Sequence, residues 1–301
     1  MEKYEKFIVR NSASLKKQIM YFYLKSIGLS ESYISKLRKQ ENSILLNNKI
    51  ANLKAQINDN DKIEILKNPS SSGSSISTVD CSNLSIVYED DDYLVVNKPH
   101  NLACIPTKSH YSDNLGSQIC SYMQRKDPNF VLRILNRLDK ETAGLIVIAK
   151  NLFAYKNITK IDKTYYALCY GNLDQKEITI NQPILTKNIN GINIMKREVS
   201  PLGKEAITHI TLIKNYKDYC LTKFKLETGR THQIRVHTAF IQHSLLGDSI
   251  YFSKTSKESM SGNIPNHTML ILKEISFLHF RTNQLLHFEI DFPKEWHNFI
   301  K

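Results

Sequence analysis

Residues 133–149 read RILNRLDKETAGLIVIA, and Asp139 stands in them between Arg137 and the run Thr142-Ala143-Gly144-Leu145. A carboxylate can serve as a nucleophile or as a general base. In an apolar pocket a lone carboxylate takes up a proton, so a working one needs a cation nearby. Two further segments carry polar groups of useful kinds. One is Lys163-Thr164-Tyr165. The other is Thr228-Gly229-Arg230-Thr231-His232-Gln233-Ile234-Arg235-Val236-His237. No Cys, Asp or Glu stands at ligand spacing to His232 or His237, so no metal is expected there.

These residues need rigid elements to hold them. Leu145-Ile146-Val147-Ile148-Ala149 is short, continuous and β-branched, which predicts a buried strand directly after the Asp139 turn. Functional groups commonly sit at the ends of such strands. Residues 84–90 and 93–99 flank the acidic turn Asp91-Asp92 and predict a hairpin, with Pro99 ending its second strand. Further strands are expected at 164–170, 206–213, 219–226, 268–277 and 285–292, and helices near 113–124 and 231–242. Strands outnumber helices and do not alternate with them. The expected class is therefore α+β, with a mixed, largely antiparallel sheet and flanking helices. No Gly-x-Gly-x-x-Gly or phosphate-binding loop gives a nucleotide cofactor a home.

The 301 residues carry 41 basic and 29 acidic side chains, a net charge of +12. Residues 1–67 hold 13 Lys and Arg against 7 Asp and Glu, so a net +6 sits in less than a quarter of the chain. Such an excess fits a polyanionic partner. No long basic amphipathic helix is present, which favours nucleic acid over membrane. No apolar run reaches the roughly 18 residues of a spanning helix. The five cysteines are scattered and form no Cys-x-x-Cys pair, and the N-terminus has no apolar signal core. A reducing cytoplasm is expected.

Asn68-Pro69-Ser70-Ser71-Ser72-Gly73-Ser74-Ser75 has the composition of a flexible linker. The domains are therefore read as 1–67, a linker 68–83, and a body 84–301. In the first, Leu15 to Ile27 has helical spacing, Gly28 fits a C-cap and Ser30 an N-cap for a second helix over about Glu31–Gln40. That helix displays Lys36, Arg38 and Lys39 as candidate RNA contacts. A short strand at 43–46, a turn at Asn47 and a closing strand at 61–66 follow. This order resembles the alpha-L RNA-binding domain first known from ribosomal protein S-four; a helical cap without a ligand is the plainer alternative.

The body resembles the RluA-type RNA pseudouridine synthases. Their motifs are His-Arg-Leu-Asp-x-x-Thr-Ser-Gly-Leu, then Lys-x-Tyr, then Thr-Gly-Arg-Thr-His-Gln-Ile-Arg-Val-His, matched here in order over 136–145, 163–165 and 228–237. Glu89-Asp90, Asn97-Lys98-Pro99, Gly203-Lys204-Glu205-Ala206 and Leu246-Gly247-Asp248-Ser249-Ile250-Tyr251 also match. The resemblance implies isomerisation of uridine to pseudouridine in RNA without cofactor or metal. It makes Asp139 the essential carboxylate, as nucleophile or base. It sets Arg235 beside Asp139 as its bidentate partner and Tyr165 against the uracil. The reacting base must leave its stack, and Arg137 is set to fill the gap or hold a flanking phosphate. Arg230, His232 and His237 would sit near the site or the RNA backbone, and Gln233 would pair with backbone.

Three positions depart from the pattern: Asn136 stands for His, Ala143 for Ser and Asn101 for Gly. The expected substrate is large-subunit ribosomal RNA, with transfer RNA as the runner-up, and the expected state is a monomer. A non-catalytic RNA-binding or ribosome-assembly factor is the rival reading. A glycosidase-like hydrolase lacks a second matched carboxylate.

Overall fold

The computed structural model describes residues 3–9, 18–69, 79–106, 113–158, 160–189, 192–252 and 265–300. The chain opens with strands β1 (Tyr4–Ile8) and β2 (Gln18–Ile19), helices α1 (Met20–Ser26) and α2 (Glu31–Lys39), and strands β3 (Ile44–Leu46), β4 (Lys49–Ile50), β5 (Gln56–Ile57) and β6 (Lys62–Leu66). Local chemistry sets the helix ends. Gly28 takes φ +88°, which suits a residue without Cβ, and the N–H of Leu29 returns to the Leu24 carbonyl at 3.0 Å. The Ser30 hydroxyl accepts the Tyr33 N–H at 3.3 Å and caps α2. The first helix starts later than its spacing predicts: Gln18–Ile19 pairs with Gln56–Ile57 as a strand, and 10–17 lie outside the described residues.

Met20, Leu24, Ile34, Leu37, Ile63 and Ile65 form a small core. Phe153 enters it from the body, with its ring centroid 5.4 Å from that of Phe7. Arg281 donates to both Glu5 and Asp92, tying β1 to the body. The two ends of the expected linker are also docked. Asn68 is buried and its amide donates to Asp127 at 2.9 Å. The Val79 N–H donates to Ser121 at 2.8 Å. The Ser- and Gly-rich stretch between, 70–78, lies outside the described residues. The small unit is thus packed on the body by buried side chains, which linker composition does not reveal.

The body continues with β7 (Ser85–Glu89), β8 (Tyr93–Lys98), α3 (Leu115–Gln124), β9 (Ala143–Ala149), α4 (Leu152–Asn157), β10 (Asp162–Tyr170), β11 (Glu177–Asn181), β12 (Ile184–Ile189), β13 (Ile192–Val199), β14 (Ile207–Asn215), β15 (Tyr219–Leu226), α5 (Gln233–Phe240), β16 (Leu270–Leu278) and β17 (Leu285–Glu289). A 3-10 turn over Lys294–Asn298 follows. The main sheet runs β11-β14-β15-β10-β16-β9-β8-β7, with β17 also on β16. Its pairings are antiparallel except β9 with β16. The expected α+β class with a mixed, largely antiparallel sheet holds. The sequence did not lead us to expect β11, β12, β13 or α4.

All seven residues of β9 are buried. The strand lies between β8 and β16 with both faces covered, so it shows no polar alternation. Leu115, Ile119, Cys120 and Met123 of α3 pack with Ala167 and Cys169 in the main core. Leu168, on the opposite face of β10, packs with Leu246 and Trp296.

Candidate active site

Strand register brings the motifs together. Lys98 at the end of β8 lies opposite Gly144, Gly144 lies opposite Leu272 of β16, and Leu272 lies opposite Tyr165 of β10. Gly144 makes this approach possible. Its φ is +121°, and a Cβ there would fall 2.3 Å from the Leu272 carbonyl oxygen. The β10–β16 register shifts between Thr164 and Tyr165. Such an irregularity re-aims a side chain, here beside the turn that precedes β9. In that turn the Thr142 N–H donates to the Asp139 carbonyl at 3.1 Å.

Asp139 lines a cleft of about 520 Å³ with Arg137, Tyr165, Arg230, His232 and Arg235. Its side chain is about 29% exposed, so water still reaches the carboxylate. Tyr165 is buried beneath it. Burial, with a contribution from the Asp139 charge, raises the Tyr165 hydroxyl above its ordinary range, so it stays neutral. His232 heads α5 with φ +59°. Its Nε2 is 3.9 Å from Asp139 Oδ2, and its Nδ1 meets the Tyr251 hydroxyl at 3.0 Å. Burial lowers the His232 pKa, against the opposing pull of Asp139.

The pairing expected for Arg235 is corrected. Its guanidinium forms a fork to Asp248, with Nε 2.6 Å from Oδ2 and Nη2 2.8 Å from Oδ1. Nη2 also donates to Glu141 at 2.7 Å. Asp139 is not a direct partner of this arginine. The reason is burial: Asp248 is 1% exposed, and a dry carboxylate needs a counter-charge more than a half-wet one does. Asp248 further accepts the N–H groups of Ile250 and Tyr251, each at 2.9 Å. The Arg235 guanidinium also lies 5.4 Å from the Tyr251 ring centroid.

Lys98 is fully buried. Its ammonium donates to the carbonyls of Pro99 (2.9 Å), Leu102 (2.8 Å) and Lys140 (3.1 Å). Burial pushes its pKa down to about 8, while nearby Cys104 and Asp139 pull it up. It therefore clamps the turn that bears Asp139 and sets a cation within its field. Arg137 is exposed at the cleft, and Arg230 donates from Nε to the Glu205 carbonyl at 2.8 Å. Gln233 pairs as expected, donating to the Ile207 carbonyl at 2.9 Å and accepting the Arg230 N–H at 2.9 Å. His237 does not reach the cleft. It is buried and meets Thr208 and the Gln182 carbonyl, each at 2.9 Å. Lys36 is half-buried on α2, while Arg38 and Lys39 are exposed there.

A family model described as RNA pseudouridylate synthase matches residues 92–240. An uncharacterised RNA pseudouridine synthase of Bacillus subtilis (strain 168), YhcT, is 33% identical over 226 residues, covering 72% of this chain and 72% of that protein. The chain belongs to the RNA pseudouridine synthase family. A ribosomal large subunit pseudouridine synthase D from Blochmanniella floridana is 36% identical over 214 residues, 68% of this chain and 65% of that protein. The solved structure of Human RNA Pseudouridylate Synthase Domain Containing 1 shares the fold, with TM-score 0.57 and 23% identity over 71% of this chain and 86% of that one.

As a pseudouridine synthase the protein is an isomerase of the RluA type, and its departures from the motif have local explanations. Asn136 is buried and clamps the motif to β9, donating to the Leu145 carbonyl at 3.0 Å and accepting the Val147 N–H at 2.8 Å. Asn101 takes φ +60°, a conformation that Asn tolerates better than most residues. Ala143 is buried in the parallel pairing with Ile271. Sequence reasoning gave no role to Glu141, Lys98 or Asp248. The motifs containing Lys98 and Asp248 were visible, but nothing in a linear pattern said where those charges pointed.

Proposed function

We propose that Asp139 is the essential residue of this RNA pseudouridine synthase and that large-subunit ribosomal RNA is its substrate. The observation that carries the first part is the shared cleft of Asp139, Tyr165, Arg137, Arg230 and His232. In the reaction the bond from ribose to N1 of uracil breaks, the base turns, a bond forms from ribose to C5, C5 loses its proton and N1 gains one, so the product is an isomer. Asp139 acts on the sugar or base as nucleophile, or on the sugar as base. Tyr165 offers the flat face against which the detached uracil turns. Arg137, exposed at the mouth, fills the gap or holds the phosphate beside an extruded nucleotide. Arg235 lines the same cleft and contributes by holding Glu141, two residues after Asp139 in the same turn.

The ribosomal assignment rests on a relative whose name specifies the ribosomal large subunit. The basic surface of residues 1–67 acts as the accessory RNA contact, through Lys36, Arg38 and Lys39. Asp139→Asn should lower pseudouridine formation about a thousandfold or more while RNA affinity stays near normal. An active Asp139→Asn enzyme would remove the assignment. Mapping pseudouridine in total RNA from cells with and without the protein tests the substrate. Loss of a site in large-subunit RNA supports it, and loss confined to transfer RNA replaces it.

A further inference from the structure

Behind the Asp139 turn, three side chains from distant parts of the chain meet. His100 follows β8, His267 precedes β16, and Glu295 lies in the 3-10 turn whose next residue, Trp296, is fully buried. The imidazole centroids of His100 and His267 are 4.2 Å apart. Glu295 Oε1 is 4.0 Å from His100 Nε2 and 3.9 Å from His267 Nε2. Both Nε2 atoms are buried and neither has a hydrogen-bond partner in the protein. The His100 side chain is about 10% exposed.

The other ring nitrogens explain which tautomers are present. His100 Nδ1 lies 2.8 Å from the Glu141 carbonyl oxygen, so it must carry the proton and donate. His267 Nδ1 lies 2.9 Å from the Asn266 side-chain oxygen and donates in the same way. With Nδ1 donating, the Nε2 of an uncharged ring is left with an unshared lone pair beside the Glu295 carboxylate. Two buried lone pairs and a carboxylate facing one another, with no donor between them, are unfavourable. A cation resolves all three. A metal-binding histidine commonly donates its second nitrogen to a carbonyl oxygen, and both rings do so here.

We propose that His100, His267 and Glu295 form a site for a divalent transition-metal ion, with zinc as the best fit. All three ligand atoms lie within 4.8 Å of one another. The point nearest all three lies about 2.3–2.5 Å from each, and a four-coordinate ion sits off their plane, so the ligand atoms must draw together by about half an ångström or more to reach zinc's bond lengths of about 2.0–2.2 Å. Two imidazoles and one carboxylate suit zinc, and water from the adjoining cleft lined by His100 and Glu295 completes its shell. The ion joins three separate segments. Through His100 and the Glu141 carbonyl it also braces the turn that bears Asp139. Its role is to hold that turn, separate from the isomerase chemistry.

The test uses the full chain after chelator treatment. Calorimetric titration with zinc should show one equivalent bound and a raised thermal midpoint. Cobalt as a probe should give visible bands of a low-symmetry nitrogen and oxygen site. His100→Gln, His267→Gln and Glu295→Gln should each weaken zinc at least tenfold and alter the cobalt spectrum. Glu295 is half-exposed, with its side chain 48% accessible, so Glu295→Gln should fold normally by circular dichroism even if a histidine variant does not. The proposal is overturned if the wild-type chain takes up no stoichiometric zinc. It is equally overturned if Glu295→Gln binds zinc with unchanged affinity and an unchanged cobalt spectrum.

Discussion

At the residue scale, the charges around Asp139 divide their work. Arg235 satisfies Asp248, which is dry, while Asp139 remains open to water, stands in the field of Lys98 and has His232 Nε2 3.9 Å away. Replacing Arg235 by Met leaves Asp248 buried without a cation. The expected loss is about 3–5 kcal/mol in a denaturant titration, and adding Asp248→Asn should recover part of it. Lys98 yields a pH prediction with two opposite signs. Below about pH 8 it is charged in the folded and unfolded chains alike, and its burial costs stability in full. Between about 8 and its ordinary value the folded chain gives up the proton first, so this cost is relieved as pH rises. Activity moves the other way, because the cation near Asp139 disappears. The rate should fall with an apparent midpoint near pH 8, and Lys98→Met should lack that alkaline limb. An unchanged limb in Lys98→Met would assign it to another group.

At the element scale, the site exists because four strand ends are held level. The β9–β16 pairing is parallel and brief, involving Ala143 with Ile271 and Gly144 with Leu272. A methyl group at position 144 meets backbone, which cannot swing aside, in a conformation already strained for any L side chain. Gly144→Ala should therefore cost about 3 kcal/mol or more. A urea midpoint within experimental error of wild type would refute the register argument. The same strand also shows the limit of periodicity. The run at 145–149 announced a buried strand, whereas β12 and β13 form a two-stranded sheet apart from the main one. Of its described side chains Ile184 is buried and Val199 packs beside it in a small cluster, too few contacts to impress a pattern on the sequence.

At the scale of the whole molecule, the basic N-terminal unit is fixed against the body by Phe153, Arg281 and Asn68. Among the described residues no helix is long and apolar enough to cross a membrane. If the unit binds RNA, its charges act from a set position. Replacing Lys36, Arg38 and Lys39 together by Gln should weaken RNA binding and flatten its salt dependence. The slope of log affinity against log salt should fall by about 0.7–0.9 for each phosphate that these side chains no longer neutralise. An unchanged slope in a filter-binding series would remove the unit from the RNA interface.

By itself the sequence determined the α+β class, the buried strand after Asp139, the capped helix over Glu31–Lys39 and the order of the motifs. Those properties depend on local pattern: burial on both faces, a capping hydroxyl, a glycine at positive φ. Tertiary structure alone decided which charges meet. Asp139 and Glu141 are two residues apart, yet Arg235 reaches Glu141 and Asp248. A turn sends neighbouring side chains in different directions, so the guanidinium that forks to the dry Asp248 meets Glu141 and not Asp139. The cluster of His100, His267 and Glu295 was invisible for a related reason. Its members are separated by 167 and 28 positions, and only the packing of the 3-10 turn against the sheet brings their ligand atoms within 4.8 Å of one another.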